Sequence, residues 1–142
     1  AQSKVLKKIT DSGLLDSGGG LNPFTSAIVH ELVEAGDLGK NISLLQKTYA
    51  SRLNVMDKAL KEFLPSAEYI LPQGGFFFWV RIPGRNTTTL RQKAKEFKVD
   101  FRQGALFSAQ KGMQEYMRLC FAFYKEDEIR EGVQRLATCT LD

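Results

Sequence analysis

The chain is poor in the residue types that most often form metal sites and disulfide frameworks. Its 142 residues include one histidine, His30, and two cysteines, Cys120 and Cys139. A zinc site needs several ligands at short spacing, and two cysteines are few for a disulfide framework in a chain of this length. The sequence therefore predicts no metal site. The low cysteine content favours a reducing compartment, for which we expect the cytoplasm.

Long apolar runs and the common nucleotide-binding and hydrolase motifs are also missing. No stretch of the chain approaches the roughly 20 consecutive apolar residues that a membrane span requires, so we expect no membrane partner. The sequence contains no phosphate-binding loop, no glycine fingerprint after a strand and no Gly-x-Ser-x-Gly elbow. It does not read as a self-contained enzyme.

Basic residues are in slight excess, with a formal net charge of +4. They recur at helical spacing beside acids such as Asp57, Glu62 and Glu96. This pattern is more typical of solvated helix faces than of a surface that follows a phosphate backbone. We therefore expect no nucleic-acid partner.

Hydrophobic periodicity predicts alternating groups of helices and strands. The predicted helices cover 3–15, 23–36, 42–63, 90–97 and 126–138, and the predicted strands cover 68–71, 76–82, 98–102 and 117–124. This order favours an α+β fold: a small, mostly antiparallel sheet with helices packed on one face, preceded by N-terminal helices. We assign residues 1–40 to a linking segment and residues 41–142 to a small α+β domain.

The stretch from Gly74 to Pro83, GGFFFWVRIP, is apolar on both faces of a predicted strand. One face, Phe76 and Phe78 or else Phe77 and Trp79, should pack under the domain's own helices. The other should meet a surface that the chain does not contain, or turn toward a substrate cleft. One alternative is a small RNA-binding module, whose sheet aromatics stack on bases. The continuous aromatic run, preceded by no basic residue, argues against that alternative.

Arg118 lies within the apolar segment YMRLCFAFY. Strand alternation divides this segment into one face with Met117, Leu119, Phe121 and Phe123, and another with Arg118, Cys120, Ala122 and Tyr124. A buried guanidinium needs a partner, because an unpaired buried charge is costly. A structural salt bridge, or an edge arginine that reaches water, would satisfy it equally well.

The ordered set GGLNPF, P-x-GGFFFW, VDFRQGALFS and MRLCFAFY, followed by an acidic helix start, resembles the C-terminal part of the fold-type I pyridoxal-phosphate enzymes. Within them it is similar to the class I/II aminotransferases, nearest the aminoadipate and aromatic branch. The resemblance covers nearly the whole chain, from residue 1 to 137. It implies the small C-terminal domain and linking helices of a longer enzyme, and a chain that begins without methionine agrees with that expectation.

The resemblance implies a parent enzyme that transfers an amino group between an amino acid and a 2-oxo acid, and that acts as a homodimer. In the family a lysine forms a Schiff base with pyridoxal 5'-phosphate. That lysine is expected upstream of this chain, since Lys4 opens a helix and lacks the family's following loop. We therefore expect the chain alone to be inactive and to bind no cofactor. A non-catalytic scaffold that kept the fold is the remaining alternative.

The resemblance also assigns roles to a few residues of this chain. Arg118 matches the arginine that binds the substrate α-carboxylate. Gly20 and Asn22 match a segment that lies near the active site of the neighbouring subunit, and Phe107 matches the mouth of the pocket. The chain departs from the family at Gln103, where proline commonly precedes the glycine.

Overall fold

A computed structural model describes residues 2–11, 13 and 22–141. Within those residues the helices are α1 (Ser3–Thr10), α2 (Pro23–Glu34), α3 (Asp37–Phe63), α4 (Thr87–Ala94) and α5 (Glu126–Leu141), with a short 3-10 helix at Gly104–Phe107. The strands are β1 (Glu68–Tyr69), β2 (Phe77–Arg81), β3 (Arg102–Gln103) and β4 (Tyr116–Cys120). The predicted α+β class is confirmed. Of the helices described, none has the length and apolarity needed to cross a membrane.

The chain divides into two compact units, residues 1–44 and 45–142, with the division inside α3. The first unit contains α1, α2 and the start of α3. Asn22 begins α2 as expected: its side-chain oxygen accepts hydrogen bonds from the amides of Phe24 and Thr25, at 3.0 and 3.3 Å. Helix α1 ends at Thr10, earlier than the predicted residue 15, and Gly13 has a φ of +68° that a right-handed helix does not allow.

The second unit contains a four-stranded antiparallel sheet with the strand order β1-β2-β4-β3. Its centre is the β2–β4 pair, where Phe78 lies opposite Leu119 and Trp79 lies opposite Arg118. Because side chains alternate along a strand and cross-strand partners share a face, this register assigns every residue of the two strands to one face.

One face of the sheet, which we call the inner face, is covered by helices. It carries Phe78 and Val80 of β2 and Met117 and Leu119 of β4, and these four residues are buried. Apolar side chains of α3, α4 and α5 complete the core: Met56, Ala59, Leu60, Leu90, Ala94, Ile129, Val133 and Leu136. The prediction of helices on one face is thus confirmed, and of the two possible inward pairs the one containing Phe78 is inward, although Phe76 precedes the strand and is half exposed.

Two predicted strands have different bounds in the structure. β4 ends at Cys120 rather than at residue 124, and the amide of Phe121 makes one further bond, to the carbonyl of Phe76. Beyond it the alternation fails, and Phe123 is 78% exposed instead of sharing the inner face. Just after the end of the strand, the Arg52 guanidinium donates a hydrogen bond to the Ala122 carbonyl.

The third strand is shorter and lies later than predicted. Lys98 has a φ of +58°, and the amide of Val99 still bonds to the carbonyl of Ala94 at 3.0 Å. Residues 95–98 therefore form turns that follow α4, and pairing with β4 begins only at Arg102. Helix α4 itself begins at Thr87, with Asn86 as its cap, so the three threonines expected to precede the helix form its first turn.

Candidate functional site

The second face of the sheet, which we call the outer face, carries aromatic residues around one arginine. Phe77 and Trp79 of β2 and Tyr116 and Arg118 of β4 point to this side. The Trp79 ring stacks on Tyr116, with centroids 5.6 Å apart and planes 17° apart. It also meets the edge of the Phe107 ring at 5.3 Å. The ring faces thus contact one another, which leaves less of them open for stacking on a nucleic-acid base.

Arg118 is half-buried at the centre of these aromatic side chains. Its guanidinium carbon lies 4.0 Å from the centroid of the Phe77 ring and 5.1 Å from that of Phe107. Both distances are within the range of a cation–π interaction. Contacts of this kind fix the guanidinium while leaving N–H donors available to a planar acceptor such as a carboxylate.

The Arg118 guanidinium forms no ion pair and no hydrogen bond within the part of the chain that the structure describes. Arg81, on the same face, provides the contrast. It binds the Glu68 carboxylate at 2.8 Å and that of Glu115 at 2.7 Å. A purely structural arginine is satisfied in this way, and the structural salt bridge considered for Arg118 is not formed by the described residues.

The short 3-10 helix brings Phe107 to the outer face. Gly104 begins this helix in very close packing, because a Cβ added there would lie 2.3 Å from the carbonyl oxygen of Met113 and 2.8 Å from the Cβ of Tyr116. The helix takes the place of part of the predicted loop. The 3-10 helix therefore brings the Phe107 ring into contact with Arg118. The close packing at Gly104 leaves no room for a larger residue.

The remaining predicted site residues belong to the first unit of the chain. Asn22 caps α2, which gives this residue a local structural role. Gly20 lies outside the described residues. The roles that the resemblance assigns to Gly20 and Asn22 remain predictions.

Arg102 is a neighbour of Arg118 that the sequence analysis did not single out. The two arginines are directly opposite each other in β3 and β4. Both line a cavity of about 190 Å³ together with Phe77, Asp100, Phe101 and Cys120. The alternation of buried Phe101 and exposed Arg102 could have indicated that Arg102 lies on the outer face. Because the third strand was predicted too early in the chain, the pairing of Arg102 with Arg118 was not identified.

The acidic groups near this cavity are already paired. Two bonds of 2.5 and 2.8 Å join the Arg91 guanidinium to the Asp100 carboxylate, and the hydrogen bonds from Arg91 are the main cause that lowers the pKa of Asp100. On the other side, the amide of Gly84 and then Arg81 lower the pKa of Glu115. Among the described residues, no three histidine, cysteine or acidic side chains come together as a metal site would require.

The fold and the site together define a small α+β domain whose aromatic sheet face carries an arginine with no ion-pair partner among the residues that the structure describes. The family model for aminotransferases of class I and II matches residues 13–136, and the chain belongs to this family. This agrees with the resemblance read from the sequence.

Two of the similar proteins are aminotransferases. The chain is 37% identical to aromatic-amino-acid aminotransferase 1 of Thermococcus litoralis over 118 residues, which are 82% of this chain and 28% of that protein. It is 32% identical to a 2-aminoadipate transaminase of Thermus thermophilus over 77% of this chain and 28% of that protein. The chain therefore spans less than a third of the length of these two relatives.

Solved structures share the fold. The crystal structure of the alpha-aminoadipate aminotransferase LysN from Thermus thermophilus, complexed with N-(5'-phosphopyridoxyl)-L-leucine, matches with a TM-score of 0.83 at 28% identity. The match covers 98% of this chain and 36% of that one. A multiple substrate aminotransferase from Thermococcus profundus matches with a TM-score of 0.79 at 32% identity, over 95% of this chain and 32% of that one.

The family implies pyridoxal 5'-phosphate, and the residues around Arg118 can be tested against it. A Schiff base needs a lysine, and the residues described as lining the cavity include none. The charge and hydrogen-bond donors of this face suit a carboxylate instead. The lining of this cavity thus suits a carboxylate rather than the cofactor.

Proposed function

We propose that this chain is the small-domain part of a pyridoxal-phosphate-dependent aminotransferase, and that Arg118 binds the α-carboxylate of its amino-acid and 2-oxo-acid substrates. The observation that carries the proposal is the unpaired guanidinium of Arg118 between the rings of Phe77 and Phe107. Membership of the aminotransferase family supports it. The contacts among the aromatic rings of this face favour a carboxylate over a nucleic-acid base as the ligand.

The proposed role follows from the shape of the two groups. A guanidinium can donate two parallel hydrogen bonds to the two oxygens of a carboxylate, and such charge-assisted pairs are stronger than neutral ones. The neighbouring rings exclude water from part of the guanidinium, which strengthens the attraction further. Because two bonds fix the plane of the carboxylate, they also orient the Cα atom of the substrate, where the amino group is exchanged.

The rest of the catalytic apparatus is proposed to belong to the parent enzyme. When bound there, pyridoxal phosphate supplies the electron sink for amino-group transfer, and the Schiff-base lysine comes from a part that precedes this chain. The parent is proposed to be a homodimer in which Gly20 and Asn22 lie near the neighbouring active site, with residues 1–40 linking the two domains. Supplied with pyridoxal phosphate and an amino acid, this chain alone should form no 2-oxo acid; measurable formation would contradict the division.

The role of Arg118 can be tested by substitution in the complete enzyme. Arg118→Gln removes the charge and the bidentate donor, so KM for the amino acid should rise by about 10- to 100-fold, since a hydrogen bond to a charged group contributes about 1.5–3 kcal/mol. Arg118→Lys keeps the charge without the planar fork, so its KM should lie between that of the parent enzyme and that of Arg118→Gln. Arg85→Gln, which removes an exposed arginine bonded to the Thr140 carbonyl, is the matched control. An unchanged KM and turnover for Arg118→Gln would refute the assigned role.

A further inference from the structure

A larger cavity of the second unit lies between α5, the end of β4 and the turn that follows α4. Its volume is about 270 Å³. It shares Asp100 and Cys120 with the smaller cavity, but neither Arg118 nor the stacked rings of the outer face are among its described lining residues. A cavity of about 150 Å³ can already hold benzene, so this one has room for a small organic molecule. Its apolar part consists mainly of buried side chains: Met56, Leu119, Ile129, Val133 and Leu136.

Gly132 lines this cavity from the interior of α5. Glycine inside a helix lowers its stability relative to alanine, so a structural reason for the residue is expected. The structure provides none, because Gly132 does not have a positive φ and a Cβ added there would have no atom within 4 Å. The fold therefore does not require glycine at this position, whereas room for a ligand beside the helix would.

Two side chains of opposite charge, Lys98 and Glu128, line the same cavity without forming an ion pair with each other or with another described residue. Lys98 has a φ of +58°, a conformation that is uncommon for residues other than glycine and that recurs at binding sites. Glu128 Oε2 accepts a hydrogen bond from the amide of Lys125 at 2.8 Å, which fixes the carboxylate at the start of α5. The other oxygen, Oε1, has no partner among the described residues.

The other three charged side chains that line the cavity are already paired. Both oxygens of Asp100 bind Arg91, and Glu131 binds Arg135 at 2.6 Å. The described lining thus retains one positive and one negative group. A ligand with only an acid group would leave the carboxylate unmatched, and a ligand with only an amine would leave the ammonium group unmatched. A ligand that carries both groups matches the two.

We propose that this cavity is a binding site for a free amino acid with an apolar side chain. The α-carboxylate of the ligand binds Lys98 Nζ, and its ammonium group binds Glu128 Oε1. The apolar side chain of the ligand lies against the buried aliphatic residues, in the space that Gly132 leaves free. This site goes beyond the proposed function and does not rest on it, because Arg118 takes no part in it.

The chain can be titrated with L-leucine and with two analogues that each lack one charge, isocaproate without the amine and isoamylamine without the acid. The methyl signals of Ile129, Val133 and Leu136 in NMR spectra report binding in this cavity and show that the chain is folded. Leucine should bind about two- to fivefold more tightly than either analogue, the size expected for one exposed ion pair.

Substitutions should separate the two charged contacts. Lys98→Gln should weaken leucine binding about two- to fivefold and leave isoamylamine binding unchanged. Glu128→Gln keeps an oxygen for the Lys125 amide, and should weaken leucine binding by a similar factor while leaving isocaproate binding unchanged. Lys58→Gln removes a positive charge at an exposed position on α3 and should change none of the three affinities.

A second variant tests the cavity itself. Gly132→Leu introduces a good helix former at a position where its Cβ has room, so the chain should fold, and the new side chain should abolish the shifts that leucine causes. The proposal is overturned if leucine causes no shifts up to its solubility limit, if either analogue binds as tightly as leucine, or if Gly132→Leu leaves binding unchanged. Arg118→Gln should not alter the shifts. Their loss in that variant would assign them to binding at Arg118, and would overturn this site but not the proposed function.

Discussion

The two faces of the central sheet are built from alternate residues of the same strands and have different properties. On the inner face, Phe78 and Met117 are fully buried under helices. On the outer face, Phe77 is 39% exposed and Arg118 is half-buried with no described ion-pair partner. The comparison shows that one strand can stabilise the fold with every second residue and present a binding surface with the others. Substitutions on the inner face should therefore mainly change the free energy of unfolding, and substitutions on the outer face should mainly change ligand binding.

The largest expected effect separates neighbouring phenylalanines of β2. Phe78→Ala removes a fully buried ring that meets Phe121 edge-on at 5.8 Å, and should lower the free energy of unfolding by about 3–5 kcal/mol. Phe77→Ala removes a half-exposed ring and one cation–π contact with Arg118, and should cost only about 1 kcal/mol. Urea unfolding of both variants measures the difference. Similar losses at the two positions would contradict the division between the faces.

A smaller effect is expected at the 3-10 helix that carries Phe107 to the outer face. Gly104→Ala places a methyl group against the Met113 carbonyl and the Tyr116 Cβ, so the backbone must shift at a cost of about 1–3 kcal/mol. Gly112→Ala is the matched control in the same segment, because its nearest neighbour, the Ser108 hydroxyl oxygen, lies 3.3 Å away on a side chain that can rotate. The midpoint of thermal unfolding should be clearly lower for Gly104→Ala than for the control. Equal stability of the two variants would show that the packing at Gly104 is unimportant.

The smallest expected effect concerns Asp57, a buried carboxylate of α3 on the helix side of the molecule. Burial alone would raise the pKa of Asp57. Hydrogen bonds from Lys61 Nζ at 2.7 Å and from the Tyr69 hydroxyl at 2.8 Å outweigh this effect, so the pKa of Asp57 lies below the ordinary value of 3.8. The unfolded state then binds the proton more readily, and the stabilisation present at neutral pH is lost as the pH falls through the native pKa.

Asp57→Asn should therefore be less stable than the parent chain at pH 7 by about 1 kcal/mol or less, because Lys61 is largely exposed. The gap should narrow as the pH falls below 3.8 and through the lowered native pKa of Asp57, because the parent carboxyl becomes protonated as well. Urea unfolding at pH 7 and over an acidic pH series measures how the gap changes. A gap that stays constant with pH would mean that the charge of Asp57 does not contribute.

The sequence predicts many of the helices and strands because their signals are local. The spacing of apolar residues indicated the long helix α3, and the Asn-Pro start indicated α2. The run around Phe78 identified the central strand, although periodicity alone could not decide which face turns inward. That choice depends on the position of the helices, which local patterns do not contain.

The arginine site was only half predictable for the same reason. Arg118 was recognisable as a charge in an apolar strand, and its match to the family identified it as a candidate. Its pairing with Arg102 depends on the register of β3, and a left-handed residue at Lys98 moved that strand away from its predicted place. The contact with Phe107 depends on a short 3-10 helix that a glycine-containing loop does not announce.

The stacked ring of Trp79 has a practical consequence, since it is the only tryptophan among the 142 residues. It touches Tyr116 and Phe107 on the face that carries Arg118, directly opposite Arg118 in the sheet register. The tryptophan fluorescence of the chain therefore originates from one point of the outer face. A change in its emission during a titration would report events beside Arg118 without any added label, and from this face of the sheet alone.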